Sequence, residues 1–581
     1  MSHISNGTSR STCRYSATNR TTATSPSHNI QVCCFHTMHK CLFVSEILHN
    51  ICSNVRQVGE VDDSTIALAG ELFEARRTLY YLALTCRTMK DPALDTLWGD
   101  LDSLYPLLCC LPSLHTRTDD SLQIGRALRV SDLDIFRKYA KRVRCLGHSK
   151  NKLYMHKDMV RVLCSFPPFP NGSLLPNLRL LSWECDDSEV FPFIRYFLPP
   201  SLVSLQLPGE LWYAPKVSFM TFLRTYSPSL RKLICASPNR AASVRISEYI
   251  CESNDLNFVD CGLPSAAAVK RLMKLPSLKQ FFITLAEDGP YEGYKGQFRP
   301  QLAWFAINAG SLNQVELFVH DLQLSPTHLQ FKSSIPAEYQ DMRRLFTQLP
   351  KSFSPAKLER LQVTVEDIQS NPEIAYSLYD LDVHALKGLF QFKNLTELSL
   401  QDSRMSFLDD SAMTTFVASW PNIEVLRLGT GFDWRNSDLT DPIQRSRITF
   451  NGLTTIVSGC RKLRVLGLVF DAQIIDRDGW DFEFHARHQI NENVVEFDVG
   501  ASLINIAVPV AVFISSLMPK VRRLKCVTHS YKGGIMQKIA DSRPTLWALV
   551  GTMLHSFAIV RKQGRLEGQA GWEISNDEED N

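Results

Sequence analysis

The stretch CCFHTMHKC places Cys33, Cys34, His36, His39 and Cys41 close together, and thiolates and imidazoles are the ligands that a borderline cation such as zinc prefers. A structural zinc site needs its four donors to converge as a tetrahedron. Adjacent thiols converge poorly, and no C-x-x-C clasp occurs anywhere in the chain, so the stretch is expected to be a loose segment leading into a helix and no metal is expected. His485 and His488 in FHARHQI lack the glutamate of H-E-x-x-H, the arrangement that sets two imidazoles and a base on one helix face. Neither a G-x-x-x-x-G-K-[ST] phosphate loop nor a G-x-S-x-G elbow is present. No catalytic residue and no cofactor site is therefore expected. A hydrolase whose triad assembles from distant segments is the one catalytic alternative.

The totals point the same way. A chain of 581 residues, 44% of them hydrophobic, is too long for one ordinary core and must divide into domains or grow by repetition. The formal charge of +3 comes from 63 Lys and Arg against 60 Asp and Glu, with no long basic run, so neither nucleic acid nor an anionic membrane is the expected partner. The 16 cysteines are scattered, which suits a reducing compartment, cytoplasm or nucleus. The first residues lack the apolar stretch of a signal peptide. The longest apolar run, INIAVPVAVFISSLM from Ile504 to Met518, carries Pro509 and falls short of the ~20 residues of a membrane helix, so a buried helix is expected there. The sequon at Asn394 lies against an expected strand, where a bulky sugar would be crowded, and is read as chance.

What positions these residues is a four-part chain. Residues 1–38 are rich in Ser, Thr and Asn and read as a disordered lead, and 566–581 as an acidic tail of the same kind. Between them stand a helical unit over 39–112 and an array over 113–565. In the helical unit, Val44, Ile47, Leu48, Ile51 and Val55 fall at steps of three and four, which predicts a first helix. Leu72, Ala75, Leu79, Leu82, Cys86 and Met89 predict a second, over Glu71–Met89. A third is expected to start with Asp91 as N-cap and Pro92 in its first turn, burying Leu94, Leu97, Trp98 and Leu101. Three short helices make a small core, so such a unit would gain from a partner.

From Val143 onward one pattern repeats: an apolar residue, two free positions, an apolar residue, one free position, an apolar residue. It starts at Val143, Leu178, Leu202, Leu230, Leu256, Leu278, Leu312, Leu358, Leu395, Ile423, Leu463, Val494 and Val521, which gives 13 candidate units. Each pattern predicts a strand, because alternate residues point to one face. Segments such as DDSAMTTFVASW and GLTTIVSGC carry helical spacing and return the chain. Stacked units would form one parallel sheet, each covering its neighbour's edge. The expected fold class is α/β: a three-helix unit followed by an irregular leucine-rich-repeat solenoid, with the sheet on a concave face and helices and loops outside. The irregularity is plain. Spacings run from 22 residues, Leu256 to Leu278, to 46, Leu312 to Leu358, and the Asn or Cys expected after the strand gives way to Glu210, Pro238 and Ser403. Outward strand positions, where a substrate would lie, include Gln206, Lys232, Glu316, Arg360, Gln362, Glu397, Arg427 and Lys525, with neither sign dominant.

The helical unit resembles an F-box, closest to the form common in fungal F-box proteins. Val44, Ser45, Glu46, Ile47 and Leu48 match the later part of the family's L-P-x-E-I-L opening, with Ser45 where the family has Pro. Cys86 and Arg87, Pro92 to Leu94, Leu97 and Trp98, and Leu101 to Leu108 match its Cys-Arg pair, Pro-Ala-Leu start, L-W pair and closing leucines. Residues 56–78 add length between the first two helices, which is tolerable if it loops out, since lengthening a loop costs only about 0.6 kcal/mol per doubling. The resemblance implies a non-catalytic substrate-recognition subunit of an SCF-type, cullin-based ubiquitin ligase. Val44, Ile47, Leu48, Ile51, Leu84, Leu97 and Trp98 would form the surface facing the Skp-type adaptor or its support, Trp98 mainly as core. The repeats would hold a protein substrate whose contacts the sequence does not identify. The alternative is a repeat scaffold with a degenerate F-box and no ligase role.

Overall fold

The computed structural model describes residues 44–57, 65–111, 128–147, 172–183, 185–209, 211–236, 239–285, 302–365, 380–431, 446–473, 490–526 and 543–577, with short pieces at 114–116, 122–124, 126, 161, 163–164 and 296–297. The Cys33–Cys41 stretch through residue 41 and the His485 and His488 pair lie outside the described residues, as does the Ser-rich lead. The chain divides into two units, one ending at Thr96 and the other beginning at Leu97.

The first unit is helical. Its helices are α1 (Ser45–Gln57), α2 (Thr65–Thr85) and the greater part of α3 (Arg87–Gly99). The second helix differs from its expected bounds of Glu71–Met89: it starts at Thr65, because TIALAGELFEA contains no proline and only one glycine, and it ends at Thr85. α3 also starts earlier than expected. Cys86 alone separates α2 from α3, Lys90 N–H donates to the Cys86 carbonyl at 3.1 Å, and Asp91 is therefore inside a helix and not its N-cap. Pro92 is tolerated within the second turn, where its missing N–H leaves only one ladder bond unmade. The core of this unit is Leu48, Cys52, Ala75, Leu79, Ala83 and Ala93. Arg56 donates to the Thr96 carbonyl at 3.2 Å and ties the end of α1 to α3.

The second unit is a solenoid-like α/β array built on one parallel sheet of 15 strands in chain order. They are β1 (Asp100–Leu101), β2 (Cys145–Leu146), β3 (Leu180–Ser182), β4 (Ser204–Gln206), β5 (Lys232–Cys235), β6 (Phe258–Gly262), β7 (Gln280–Thr284), β8 (Trp304–Ala309), β9 (His328–Ser333), β10 (Arg360–Val365), β11 (Glu397–Leu400), β12 (Val425–Leu428), β13 (Val465–Leu468), β14 (Glu496–Asp498) and β15 (Arg523–Lys525). One residue per strand stands in register across the whole sheet, from Leu101 and Leu146 through Val259, Phe281, Phe305 and Leu361 to Phe497 and Leu524. From Leu101 to Phe497 this column is buried. Side chains one place before and after it emerge on the opposite, open face, as strand alternation requires.

Twelve of the 13 expected units carry a strand of this sheet, and the exception is informative. SLNQVELFVH is a helix, α8 in the order α4 (Leu133–Ala140), α5 (Ala214–Tyr226), α6 (Arg240–Glu252), α7 (Ala266–Leu272), α8 (Leu312–Val319), α9 (Tyr339–Ser352), α10 (Asp410–Ser419), α11 (Phe450–Gly459), α12 (Ala507–Leu517) and α13 (Arg543–Asp577). Ser311 and Gln314 form a reciprocal capping box at its start, with N···O distances of 3.1 and 3.4 Å, and this local bonding selects the helix. Glu316 consequently leaves the sheet face. The strands on either side, β8 and β9, supply the missing repeats. The first strand, β1, was also unforeseen, and it places Trp98 at the leading apolar position of the first repeat.

The expected helix in 504–518 is present as α12, with Val510, Ala511 and Ile514 buried. α13 closes the far end of the array: Trp547 is buried and its indole N–H donates to the Ser502 carbonyl at 2.9 Å. Its backbone stays helical to Asp577, so the chain from 566 to 577 is helical and not the loose tail expected.

A side-chain stitch recurs between repeats. Asn177, Asn394 and Asn493 donate to the carbonyls of Lys141, Ala356 and Arg461 at 2.8, 2.7 and 2.8 Å. Ser201 and Ser277 reach the equivalent carbonyls of Pro176 and Asn254 at 3.5 and 3.4 Å, and those of Leu178 and Leu256 at 3.2 and 2.8 Å. In each case the residue just before a repeat's leading apolar side chain reaches back to the corresponding turn of the repeat before it. Asn394 is thus engaged in the array through its own amide.

Candidate functional site

Two surfaces have the chemistry of a docking site, one in each unit. Val44, just before α1, and Ile47 and Ile51 on it fall at i, i+3 and i+7, along one side, and they are 43%, 38% and 37% exposed, while Leu48 on the neighbouring face is 2% exposed. On α2, Phe73, Tyr80 and Leu84 share a face and are likewise exposed, Leu84 at 66%. The apolar pattern of this unit therefore exceeds what its own core absorbs, and exposed clusters of this kind mark interaction sites.

Of the seven residues expected to face or support an adaptor, Val44, Ile47, Ile51 and Leu84 are on the surface and Leu48 is core. Leu97 is half-buried. Trp98 stacks on Tyr139 with ring centroids 4.3 Å apart and packs against the core of the array; it is a residue of the second unit. Phe73, Tyr80 and Tyr81 were missed by the sequence reading, although their spacing from Leu84 gave the signal.

The second surface is the open face of the sheet. Gln206, Lys232, Arg360, Gln362, Glu397, Arg427 and Lys525 stand on it as expected. Between β5 and β9 it is aromatic. Phe258 and Phe282 have centroids 5.0 Å apart, Phe282 and Trp304 5.1 Å, and Trp304 and His328 6.2 Å. The Lys232 ammonium lies 4.3 Å from the centre of the Phe258 ring, a cation–π contact. Burial, then the neighbouring Arg360 charge, push the His328 imidazole below its ordinary range. This patch had a signal in the sequence too: Phe281-Phe282 and Trp304-Phe305 put an apolar side chain at positions where alternation calls for a polar one.

Within the aromatic stretch, Asp260 stands in register between Ile234 and Phe282. Burial raises its carboxyl from 3.8 to about 6, with Lys232 pulling the other way. Among the described residues no group donates a hydrogen bond to its buried Oδ1. Two buried cations of the array, Lys216 and Arg404, lie against carboxylates of the same chain. Lys216, fully buried, donates to Asp186 Oδ1 at 3.0 Å, to the Leu211 carbonyl at 2.8 Å and to the Pro208 carbonyl. Arg404 and Asp380 pair at 3.1 Å, and Asp380 also accepts from the Ser406 backbone at 2.7 Å.

From β10 onward the same face becomes ionic. Glu496 receives Lys525 at 2.9 Å, Arg523 at 3.6 Å and Arg427 at 3.9 Å, and Glu397 lies 3.9 Å from Arg427 and 3.8 Å from Arg360. Burial also raises the Asp498 carboxyl above its ordinary range, opposed by the Gly500 N–H that donates to it at 2.9 Å. Neither surface assembles three or more metal-ligating side chains among the described residues. No helix among the described residues is long and apolar enough to cross a membrane. Compared with models of known protein families and with curated proteins, the chain matches none.

Proposed function

We propose that this chain is the substrate-recognition subunit of an SCF-type ubiquitin ligase. In this reading α1 to α3 form an F-box that docks on the Skp-type adaptor and through it on a cullin, and the array is an irregular leucine-rich repeat that holds a protein substrate. The observation that carries the reading is the exposed apolar pair of faces on α1 and α2, Val44, Ile47 and Ile51 with Leu84, on a helical unit that resembles an F-box in sequence. A surface of this kind suits the apolar side of a partner helix. The subunit would perform no bond chemistry itself. It would act by holding a substrate near a charged ubiquitin carrier, where proximity replaces a bimolecular encounter.

The test is co-expression of the full chain with a Skp-type adaptor, followed by capture and size-exclusion chromatography. A one-to-one complex is expected. An Ile47→Asp, Leu84→Asp double variant should weaken it by about tenfold or more, with the array's unfolding transition unchanged. A folded chain that fails to bind under conditions where an established F-box protein binds overturns the reading. Ser45 in place of the family's Pro and the long α2 favour the alternative, a repeat scaffold outside the ligase. That alternative predicts partners held by the array and no cullin among them.

A further inference from the structure

Asp260 is a half-buried carboxylate in an aromatic wall, and among the described residues no hydrogen bond or ion pair reaches it. An unmade hydrogen bond at a buried polar atom is uncommon in folded proteins and calls for an explanation at that site. The side chains around it limit what the missing donor can be. Phe282 and Trp304 present half-buried π faces on the same surface, which attract a cation and reject an anion. Asp260 supplies the counter-charge. Lys232, whose charge acts on the Asp260 carboxyl, is held at the Phe258 ring and makes no ion pair with Asp260 within 4.0 Å. An ammonium and a guanidinium differ in what they do here: only the planar guanidinium can lie flat on a ring while its N–H fork points at a carboxylate beside it.

We propose that the aromatic stretch of the open sheet face, Phe258, Phe282 and Trp304 with Asp260, is a recognition site for an arginine side chain presented by a protein segment. The proposal deepens the substrate-receptor reading and rests on it for the identity of that segment as substrate. The arginine stacks on Phe282, with the Trp304 ring inclined 64° at its side, and donates to the half-buried Asp260 carboxylate. Lys232 and Arg360 flank the site as like charges, so the surface admits one cation and disfavours a run of them. The ionic stretch from β10 onward, where cations already pair with Glu397 and Glu496, lacks aromatic faces in its strands and does not share the site.

The experiment uses the full chain and two capped tripeptides, Gly-Arg-Gly and Gly-citrulline-Gly, which differ in charge but scarcely in shape. Binding is followed by saturation-transfer NMR on the peptides. The arginine peptide should bind about tenfold more tightly than the citrulline peptide. Asp260→Asn should abolish that preference, Trp304→Ala should weaken both peptides, and Lys232→Met should strengthen the arginine peptide. Circular dichroism on each variant checks folding, and the near-isosteric Asp260→Asn preserves the site's shape. Equal binding of the two peptides, no binding of either, or an arginine preference that survives Asp260→Asn overturns the proposal. Adaptor capture is read separately through α1 and α2. A chain that captures the adaptor without preferring arginine loses the site and keeps the receptor reading. A chain that prefers arginine without capturing the adaptor keeps the site and loses the ligase.

Discussion

The open face of one continuous sheet is aromatic from β5 to β9 and ionic from β10 to β15, although the column on its buried side is equally apolar in both halves. The strand register is the same throughout, so the difference owes nothing to backbone geometry. It shows that a parallel array leaves the outward positions free to be filled for another purpose once the inward column is satisfied. In the ionic half Glu397 and Glu496 have close cationic partners within the chain, and Asp498 accepts from the Gly500 N–H. In the aromatic half the one carboxylate is desolvated and its Oδ1 is left without a donor.

The largest change should come from the side the halves share. Phe305→Ala in the aromatic half should cost about 3 to 5 kcal/mol and Leu426→Ala in the ionic half about 2 to 5 kcal/mol, as expected for fully buried large side chains. Urea unfolding checks both. A single transition shifted by either substitution keeps the halves as one cooperative body, whereas two separate transitions divide the array at β10.

Asp260→Asn sharpens the contrast in the opposite direction. The folded chain holds the Asp260 carboxyl at about 6 against an ordinary 3.8, so folding favours its protonated form. Wild-type stability from this group is therefore full below about pH 4 and falls as pH rises through 6. The variant should be more stable at pH 7 by up to about 3 kcal/mol, the equivalent of two pKa units, and the gain should vanish near pH 3.5. Thermal melts across that range measure it. An unchanged melting temperature at pH 7 would mean that the carboxylate is satisfied after all.

The smallest effect is expected in the ionic half. Glu496 is 11% exposed at its side chain, but Arg523 and Lys525 are 65% and 55% exposed, and solvent screens such pairs. Glu496→Gln should cost about 1 kcal/mol at low salt and less in 1 M salt. The aromatic half should show no comparable salt dependence. Melts of the variant at two ionic strengths test this.

Much of the array was legible because period-two apolar spacing is a strong signal wherever a strand is half-buried. Leu312, Val315 and Leu317 misled because the first step of the repeat pattern, three residues, is also a helical step. Only the Ser311 and Gln314 capping pair separates the two cases, and it was visible in SLNQ. Trp98 was read with the helices because it sits on α3, yet it is the leading apolar residue of a repeat followed by Leu101. Of the two candidate surfaces, the α1 face was legible from spacing alone. Which residues of its stripe turn inward depends on what α2 and α3 place beside them, and sequence periodicity does not specify that. The aromatic stretch was announced by two doublets, but Asp260 was not, since its burial is made by Ile234 and Phe282 on neighbouring strands.

The Asn and Ser stitches have a consequence for how this chain can vary. Each fixes the start of one repeat to the start of the one before, 23 to 38 residues upstream in sequence by the contacts of Ser277, Asn177 and Asn394, whatever the intervening segment does. Segments between strands can therefore be exchanged or lengthened while the phase of the ladder is kept, so that novelty at the rim need not be matched by compensation at the centre.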